Sequence, residues 1–319
     1  MAQVGTSVSI KELFNNRTVL VYFALALFVI VGGLIMPQSL GSRSLQTIIR
    51  EASLLGIVAL GQGVVMLSGG LDISVGNTMF FVVVLGGNLM SRYPQWSFPI
   101  ILLCLVFGAF VGLVNGIGVA RLKISAIIMT LATSSILFGT VYLLAGGTVS
   151  GGAHPTWQWV GKKMVTSFMP LTGIIWLVLA SVAIFVFLKT PFGRKIYATG
   201  NNPLTTWLSG VNAEGVLVMA YVICGASAAF AGLLLLGYLG TPTLRFTDIY
   251  TMGSIAAVVL GGIEFFKGIG NIAGTIAGAL IVRFLFTLLI MFNVAEAGRM
   301  IAEGVLIIVI VALYQRKNN

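Results

Sequence analysis

The fold is decided by a polar stretch between two apolar runs, SGGLDISVGN at Ser68–Asn77. The apolar residues around it extend from Ala52 to Met90, which is 39 residues, whereas one helix crosses the hydrocarbon core of a bilayer in about 20 residues. Adjacent glycines weaken a helix at this point. The stretch therefore predicts two apolar helices joined by a polar break.

Two interpretations of this break are open. Asp72 would cost about 2.5–3.5 kcal/mol at the centre of a membrane helix, so it is better placed beside a helix start. There its carboxylate and the Ser74 hydroxyl can accept the free N–H groups of the next helix. Alternatively, the break is a gate or a solute contact, as discontinuous helices supply in transporters.

The composition places the whole chain in lipid. Charged residues are 8% of the sequence and hydrophobic residues 58%, with a mean hydropathy of +1.06, whereas soluble domains carry about 25% charged residues. The net charge of +10 is spread over short segments between apolar runs, which favours anionic lipid and membrane topology over nucleic acid. Cys104 and Cys224 lie inside apolar runs and are interpreted as small core residues.

We therefore predict an all-α polytopic membrane protein of about ten transmembrane helices, forming one domain over residues 1–319. The second, eighth and tenth runs are short, so we expect them to be tilted, broken or covered by neighbours. No cleavable signal peptide is expected, because the first run is too long for an h-region. The ten runs are Val19–Met36, Ala52–Leu67, Ile73–Met90, Phe98–Ala120, Ser125–Ala145, Leu171–Leu188, Val216–Leu239, Tyr250–Gly262, Ile272–Asn293 and Ile301–Tyr314.

The basic residues near the run ends favour cytoplasmic termini. With the N-terminus inside, ten Lys and Arg residues are cytoplasmic and seven are external, in the direction of the positive-inside rule. The longest external loop is then Gly146–Pro170. Its Trp157 and Trp159 are either interfacial aromatics or part of a docking surface. His154 is the only histidine, which excludes a site built from several histidines.

A second polar segment, KTPFGRKIYATGNNPLTTWLSGVN at Lys189–Asn212, lies on the cytoplasmic side in this topology. Asn202 followed by Pro203 predicts a helix start with Asn202 as the N-cap. Leu204–Ser209 then forms a short helix that Gly210 ends. Such a helix is either a lever that a partner can push or merely part of a solvated loop.

A third segment, LGGIEFFKGIGN at Leu260–Asn271, resembles the first in kind, since both carry paired glycines, a short polar stretch and Gly-Asn before the next run. This indicates a possible internal repeat, which transporters often contain. The four-residue spacing of Gly270, Gly274 and Gly278 predicts one helix face that packs closely on a neighbour.

Polar residues inside the runs need partners. Arg283 lies near the middle of the ninth run, and Asp72, Glu296 and Glu303 are its candidate partners. Glu296 and Glu303 are also three and four residues from Arg299, which allows local pairing. Other polar side chains in the runs are either interhelical hydrogen-bonding groups or solute contacts; they are Gln62, Asn115, Thr130, Thr133, Ser134 and Ser135.

Taken together, the three segments resemble ribose-type ABC permeases. Leu67–Asn77 is similar to the SGGxDLSVG signature of that family, with Ile73 in place of Leu. Pro191–Val211 resembles TxFGRxxYAxGGNxxAAxLSGI, with Asn201 replacing a glycine and Thr205-Thr206 replacing paired alanines. Ala256–Gly278 resembles AIAAVVLGGxxxxGGxGxxxGTxxGAL, with Lys267-Gly268 replacing a double glycine. The resemblance covers nearly the whole chain in the same order.

The resemblance implies the permease subunit of an importer in the bacterial inner membrane. Such permeases work as a pair of identical or paralogous chains, with two cytoplasmic ATPases and a periplasmic solute-binding protein. ATP and Mg are bound by the ATPase, so this chain is expected to carry no cofactor and to be no enzyme itself. The implied cargo is a pentose, hexose or related small polar solute that passes between the two permease chains.

The resemblance also assigns candidate residues. The ATPase-coupling loop would comprise Gly193, Arg194, Ala198, Gly200, Asn201, Asn202, Leu204, Thr205, Leu208 and Gly210. The translocation pathway and gate would include Ser68, Asp72, Ser74, Asn77, Asn115, Thr130 and Gly262.

Two other classes of function, a secondary transporter and an intramembrane enzyme, are alternatives to the ABC permease. A secondary transporter driven by an ion gradient would need an intramembrane charge, and Asp72 and Arg283 are the plausible ones. An intramembrane enzyme would need a catalytic pair, yet the sequence has neither a Ser–His pattern nor a zinc-binding HExxH motif. No Gly-x-x-x-x-Gly-Lys-Ser/Thr phosphate loop occurs either, so any ATPase must be a separate chain.

Overall fold

The computed structural model describes residues 17–145, 150–243 and 247–316. In these ranges the chain forms thirteen α-helices and two short 3₁₀ turns, Pro37–Leu40 and Pro94–Trp96, and no strand. This confirms the all-α prediction. The helices are α1 Arg17–Ile35, α2 Ser42–Leu67, α3 Val75–Arg92, α4 Ser97–Ala120, α5 Ala126–Ala145, α6 Pro155–Lys162, α7 Leu171–Lys189, α8 Pro191–Asn201, α9 Pro203–Leu208, α10 Ala213–Leu239, α11 Thr247–Leu260, α12 Gly274–Met291 and α13 Glu296–Arg316.

Seven helices in the described part of the chain are long and apolar enough to cross a membrane, so the protein is polytopic although the predicted count of ten is not confirmed. The seven are α1, α2, α4, α5, α7, α10 and α12. The second predicted run differs most from its helix. Instead of starting at Ala52, α2 starts at Ser42 and has 26 residues, because a polar first third extends the helix beyond the apolar run.

The centre of the bundle is α2, most of which is buried by the surrounding helices. A close helix crossing lies nearby, between α4 and α10. A Cβ placed on Gly112 would overlap the carbonyl oxygen of Tyr221, and one on Gly108 would lie 2.5 Å from the Gly225 oxygen. Small residues at this crossing let the two backbones approach, as in many membrane proteins.

The contacts between loops define two ends of the bundle. At one end, which we call the Gly200 end, Lys123 forms an ion pair of 2.7 Å with Glu214, and Gly200 lies against Leu67 and Gly268. At the other, the Gly240 end, the Ala153 N–H donates to the Gly240 carbonyl at 2.9 Å. The breaks after α2 and α11 both lie at the Gly200 end.

The two breaks begin with the same backbone motif. Gly69 has φ +87° and Gly262 has φ +91°, a conformation that glycine adopts without strain. In each case the residue after the glycine donates its N–H to the carbonyl five residues earlier, at 2.9 Å for Gly70 and 3.2 Å for Ile263. Both α2 and α11 therefore end in a Schellman motif, which many helices share, and the possible internal repeat stays a prediction.

The glycine face predicted after the second break is partly correct. Gly274 and Gly278 lie on α12 and pack closely on Gly261 and Ala257, respectively. Gly270 does not share this face, because α12 begins only at Gly274 and Gly270 lies in the preceding loop with φ +133°. The polar stretch before α12 keeps the chain out of a helix at that point.

Candidate functional site

The three segments singled out from the sequence meet at the Gly200 end. A Cβ on Gly69 would lie 3.6 Å from the Gly200 Cα, and one on Gly268 would lie 2.5 Å from the Asn201 nitrogen. The Tyr197 hydroxyl donates to the Gly270 carbonyl at 3.0 Å. Burial raises the pKa of Tyr197, which keeps this hydroxyl protonated as a donor. The polar segment thus touches both breaks.

The predicted short helix in the polar segment is confirmed. Helix α9 spans Pro203–Leu208, and the Asn202 side chain caps it by accepting from the Thr205 N–H at 3.0 Å. Gly210 follows with φ +78° and stops the helix. The preceding helix, α8, was missed, although Pro191 at its first position is the kind of start signal that would have found it.

Helix α9 presents an apolar face to the outside of the chain. Leu204, Trp207 and Leu208 are 66%, 64% and 69% exposed, and their spacing of three and four residues places them side by side. Thr206 points inward and is buried. Beside this face, α8, α9 and Gly268 border a cavity of 400 Å³. An apolar patch rimmed by polar residues is typical of a protein interaction site.

The other candidate residues of this segment divide by exposure. Gly193 and Gly200 are buried against backbone, which explains why glycine is needed there. The exposed members are Arg194, Ala198, Asn201, Asn202, Thr205 and Gly210.

The first break contains a buried hydrogen-bonded chain of side chains. Asp72 Oδ1 accepts from the Ser74 N–H at 2.8 Å and from the Ser74 hydroxyl at 2.6 Å. Asn115 on α4 donates to the Ser74 Oγ at 2.9 Å, and Thr133 on α5 donates to the Asn115 Oδ1 at 2.6 Å. The chain of contacts ties the start of α3 to two neighbouring helices.

Side chains also satisfy the backbone groups that the break leaves free. The Tyr221 hydroxyl accepts from the Leu71 N–H at 3.2 Å and donates to the Leu71 carbonyl at 3.1 Å. Thr130 Oγ1 accepts from the Ile73 N–H at 3.1 Å. The Gln62 amide faces the backbone of Asp72, where its nitrogen donates to the carbonyl at 3.1 Å and its oxygen accepts from the N–H at 3.3 Å. Irregular backbone that is buried away from water requires such partners.

The expected capping at this break is therefore only partly correct. Asp72 accepts an N–H at the start of α3, but the Ser74 hydroxyl donates to Asp72 and makes no cap. The candidate pathway residues lie inside the single chain, with Asp72 and Ser74 each 1% exposed and Asn115 and Thr130 each 0% exposed. Ser68 and Gly262 are also buried, and Asn77 is half-buried and donates to the Ser134 hydroxyl at 2.7 Å. Their role in translocation stays a prediction.

Arg283 lies apart from this network. Its guanidinium carbon is 5.1 Å from the centre of the Tyr250 ring, and Arg283 is 5% exposed. Asp72 forms no ion pair with it in the described ranges, whereas the Arg283 charge acts on Glu303, which is 6% exposed. Glu303 Oε1 and Arg283 Nη2 have no hydrogen-bond partner among the described residues. Of the candidate partners, Glu303 is the one whose carboxyl group interacts electrostatically with Arg283, and no ion pair within 4 Å joins the two residues in the described ranges.

The alternative pairing within α13 is not formed. No ion pair links Arg299 to Glu296 or Glu303 in the part of the chain that the structure describes. The two cysteines, by contrast, are as expected, since Cys104 and Cys224 are both free and buried.

The loop predicted over Gly146–Pro170 contains a helix, α6, at the Gly240 end; residues 146–149 lie outside the described ranges. The Trp157 indole donates to the Leu233 carbonyl at 2.6 Å, so this tryptophan anchors α6 on α10. His154 precedes the helix as its N-cap. Trp159 is 56% exposed, with the Lys163 ammonium 5.6 Å from the centre of its ring, so of the two tryptophans Trp159 is the one exposed at this end.

Comparison with known proteins gives a consistent result. Residues 44–311 match the family described as branched-chain amino acid transport system, permease component. The ribose import permease protein RbsC of Haemophilus influenzae is 30% identical over 296 residues, which cover 91% of this chain and 90% of that protein. The autoinducer 2 import system permease protein LsrC of Salmonella typhimurium is 33% identical over 291 residues, 89% of this chain and 82% of that protein. No solved structure matches significantly.

Proposed function

Because the chain belongs to the permease family of ABC transporters that includes sugar permeases, we propose that it is the membrane-spanning subunit of an ATP-driven importer for a monosaccharide or similar small polar solute. Solute moves from the periplasm to the cytoplasm. This membership favours the ATP-driven importer over a gradient-driven carrier, for which the buried Asp72 and Arg283 are the only charges put forward.

The exposed apolar face of α9 is the observation that carries the proposal. Leu204, Trp207 and Leu208 lie at the Gly200 end, outside the core of the chain, and they form a surface for the cytoplasmic ATPase. The ATPase binds ATP and Mg, and this chain transmits its movement. The rigid N-capped helix α9 is suited to this role, because a load on a folded helix moves the helix as a unit.

The contacts of α8 give the movement a route into the membrane domain. Gly200 touches the end of α2 at Leu67 and the second break at Gly268. A displacement of α8 therefore acts on both breaks. The pathway itself lies between this chain and a second permease copy, identical or paralogous, and rocking of the two chains changes its access.

The Gly240 end faces the periplasm in this proposal, where the solute-binding protein docks near α6 with Trp159 in the surface. Both termini are cytoplasmic, and the membrane is the bacterial inner membrane. The relatives carry ribose and autoinducer 2 in their names, which supports a sugar-like cargo without choosing between pentose and hexose.

Uptake of labelled sugars by cells carrying the whole transport system tests the proposal. In the Leu204→Gln/Leu208→Gln variant we expect uptake to fall to background with normal amounts of protein in the membrane, because the apolar docking face is lost. Leu122→Gln is the matched control, since Leu122 is 67% exposed at the same end but lies outside α9. Full uptake by the double variant would contradict the role of α9.

A further inference from the structure

An apolar crevice opens between α2, α7 and α10. It has a volume of 220 Å³ and is lined by α2 between Ile57 and Val64, by α7 between Leu179 and Phe187, and by Phe192 of α8. Ser227 supplies the only hydroxyl of the lining, and this hydroxyl donates to the Ile223 carbonyl of its own helix at 2.8 Å. Apart from this hydroxyl, the lining side chains are apolar or glycine.

The length of the crevice matches one leaflet of a bilayer. The lining from Leu179 to Phe187 rises about 12 Å along α7, close to the about 15 Å of half a bilayer core. A single acyl chain is thin enough to enter.

Two exposed lysines flank Phe192, which lines the crevice where α7 meets α8. Lys189 ends α7 three residues before Phe192, and Lys195 follows one turn after Phe192 on α8. The C-terminus of α7 and the N-terminus of α8 meet here, so the opposite ends of their dipoles offset each other and the two lysine charges remain.

We infer that the crevice binds an anionic phospholipid, with one acyl chain between α2, α7 and α10 and the phosphate held between Lys189 and Lys195. An anionic phospholipid fits both parts of the site, because its acyl chain is complementary to the apolar slot and its phosphate to the two lysines. A free phosphate would use only the lysines, and a neutral lipid would use only the slot. Anionic lipid is plentiful in the cytoplasmic leaflet, which adjoins this end in the proposed topology.

The bound lipid would act on coupling. The lipid contacts α2, the end of α7 at Phe187 and the start of α8 at Phe192. Further along α8, Gly200 packs against Leu67 at the end of α2. An anionic lipid in this position holds α8 against α2, so we expect ATP-driven uptake to require it. This consequence rests on the proposed function, whereas binding of the lipid does not.

Lipid retention tests the binding directly. The full chain is purified from membranes, exchanged into nanodiscs of phosphatidylcholine with one-fifth phosphatidylglycerol, and analysed for tightly held lipid by native mass spectrometry. We expect about one phosphatidylglycerol per chain in preference to phosphatidylcholine. Lys189→Gln/Lys195→Gln should weaken its binding about 30-fold, because each lysine near the surface contributes about 1 kcal/mol and 1.4 kcal/mol is tenfold.

Three further variants separate the crevice from the surface charge. Ala183→Phe fills the apolar slot and leaves both lysines, and it should abolish selective retention; Ser227→Ala removes only an internally bonded hydroxyl and should retain the lipid. Lys162→Gln/Lys163→Gln removes two exposed lysines at the Gly240 end and should change nothing. Unaltered retention in Ala183→Phe, equal retention of both lipids, or a Val182→Cys cross-link to a second copy in place of lipid would overturn the inference.

The same nanodiscs separate this inference from the proposed function. If phosphatidylglycerol is retained but the complete transporter shows no ATP-driven uptake, the lipid site stands and the proposed function fails. If uptake is normal in phosphatidylcholine alone and no lipid is retained, the proposed function stands and the lipid site is refuted.

Discussion

Gly200, near the end of α8, lies directly on the carbonyl oxygen of Leu67, the last residue of α2. A Cβ at Gly200 would overlap this oxygen and would lie 2.9 Å from the Gly268 Cα on the other side. The polar segment at the Gly200 end is thus in backbone contact with both helix breaks. Since backbone cannot move aside as a side chain can, a displacement of α8 must move the breaks as well.

Gly200→Ala is expected to uncouple or destabilise the protein. The added methyl meets backbone on two sides, and overpacking of this kind costs about 1–3 kcal/mol. We expect a lower apparent melting temperature in detergent and reduced ATP-driven uptake. Gly139→Ala is the control, because no atom lies within 4 Å of a Cβ at Gly139. A Gly200→Ala protein with the stability and uptake of the parent would show that α8 does not press on α2.

Asp72 is expected to act as a hydrogen-bond acceptor at the first break. Asp72→Ala leaves the Ser74 N–H and hydroxyl without their acceptor, and each buried group left unsatisfied costs about 1–3 kcal/mol. Asp72→Asn keeps an oxygen in the same place and should retain most of the stability and uptake. Thermal melting and uptake measured on both variants check this. Loss of uptake by Asp72→Asn at unchanged stability would instead assign the charge a direct part in transport.

Much of the fold follows from local sequence. The break after Leu67 was predictable because two glycines and an aspartate interrupt an apolar run. The N-cap of α9 was predictable because Asn202 precedes a proline. The start of α2 was not predictable from hydropathy, because its first turns, from Ser42 onward, are polar. Contacts at the Gly240 end hold these turns in a helix, such as the hydrogen bond of 2.8 Å that the Ser42 hydroxyl donates to the Ser167 carbonyl.

The site was less predictable than the fold. Sequence placed Asp72, Ser74, Asn115 and Thr130 in candidate roles but not in one network, because their contacts join residues up to 57 positions apart. The α4–α10 crossing was missed although Gly108, Gly112 and Gly116 recur every four residues. The partner of Arg283 could not be chosen from the sequence, since helix order alone does not show which acid faces it.

Arg283 and Glu303 are expected to depend on each other. Arg283→Met removes the positive charge that acts on the buried Glu303 carboxyl group, and Glu303→Gln removes the negative charge that acts on the buried Arg283 guanidinium. The double variant should therefore lose less stability than the sum of the singles, with a coupling of about 0.5–3 kcal/mol. Melting of the four proteins measures this coupling. Arg92→Met and Glu296→Gln, at two exposed residues that form no ion pair in the described ranges, serve as the control and should be additive. Strict additivity at Arg283 and Glu303 would disprove the interaction.

Cysteine labelling is expected to place the two ends on opposite sides of the membrane. Ser209→Cys at the Gly200 end should react with an impermeant maleimide only in inverted vesicles, and Thr166→Cys at the Gly240 end only in intact spheroplasts. Both positions are exposed, while native Cys104 and Cys224 are each 0% exposed and should stay unlabelled. The reverse pattern would invert the proposed orientation and with it the sites of the ATPase and the solute-binding protein.

Co-purification of the tagged chain from its native membrane, with partners identified by mass spectrometry, shows whether the chain works with an ATPase. A Trp207→Cys variant treated with a short cross-linker shows which partner lies on α9. We expect an ATPase at about one copy per permease, cross-linked through position 207. A chain that purifies without an ATPase and transports solute into liposomes without ATP would contradict it.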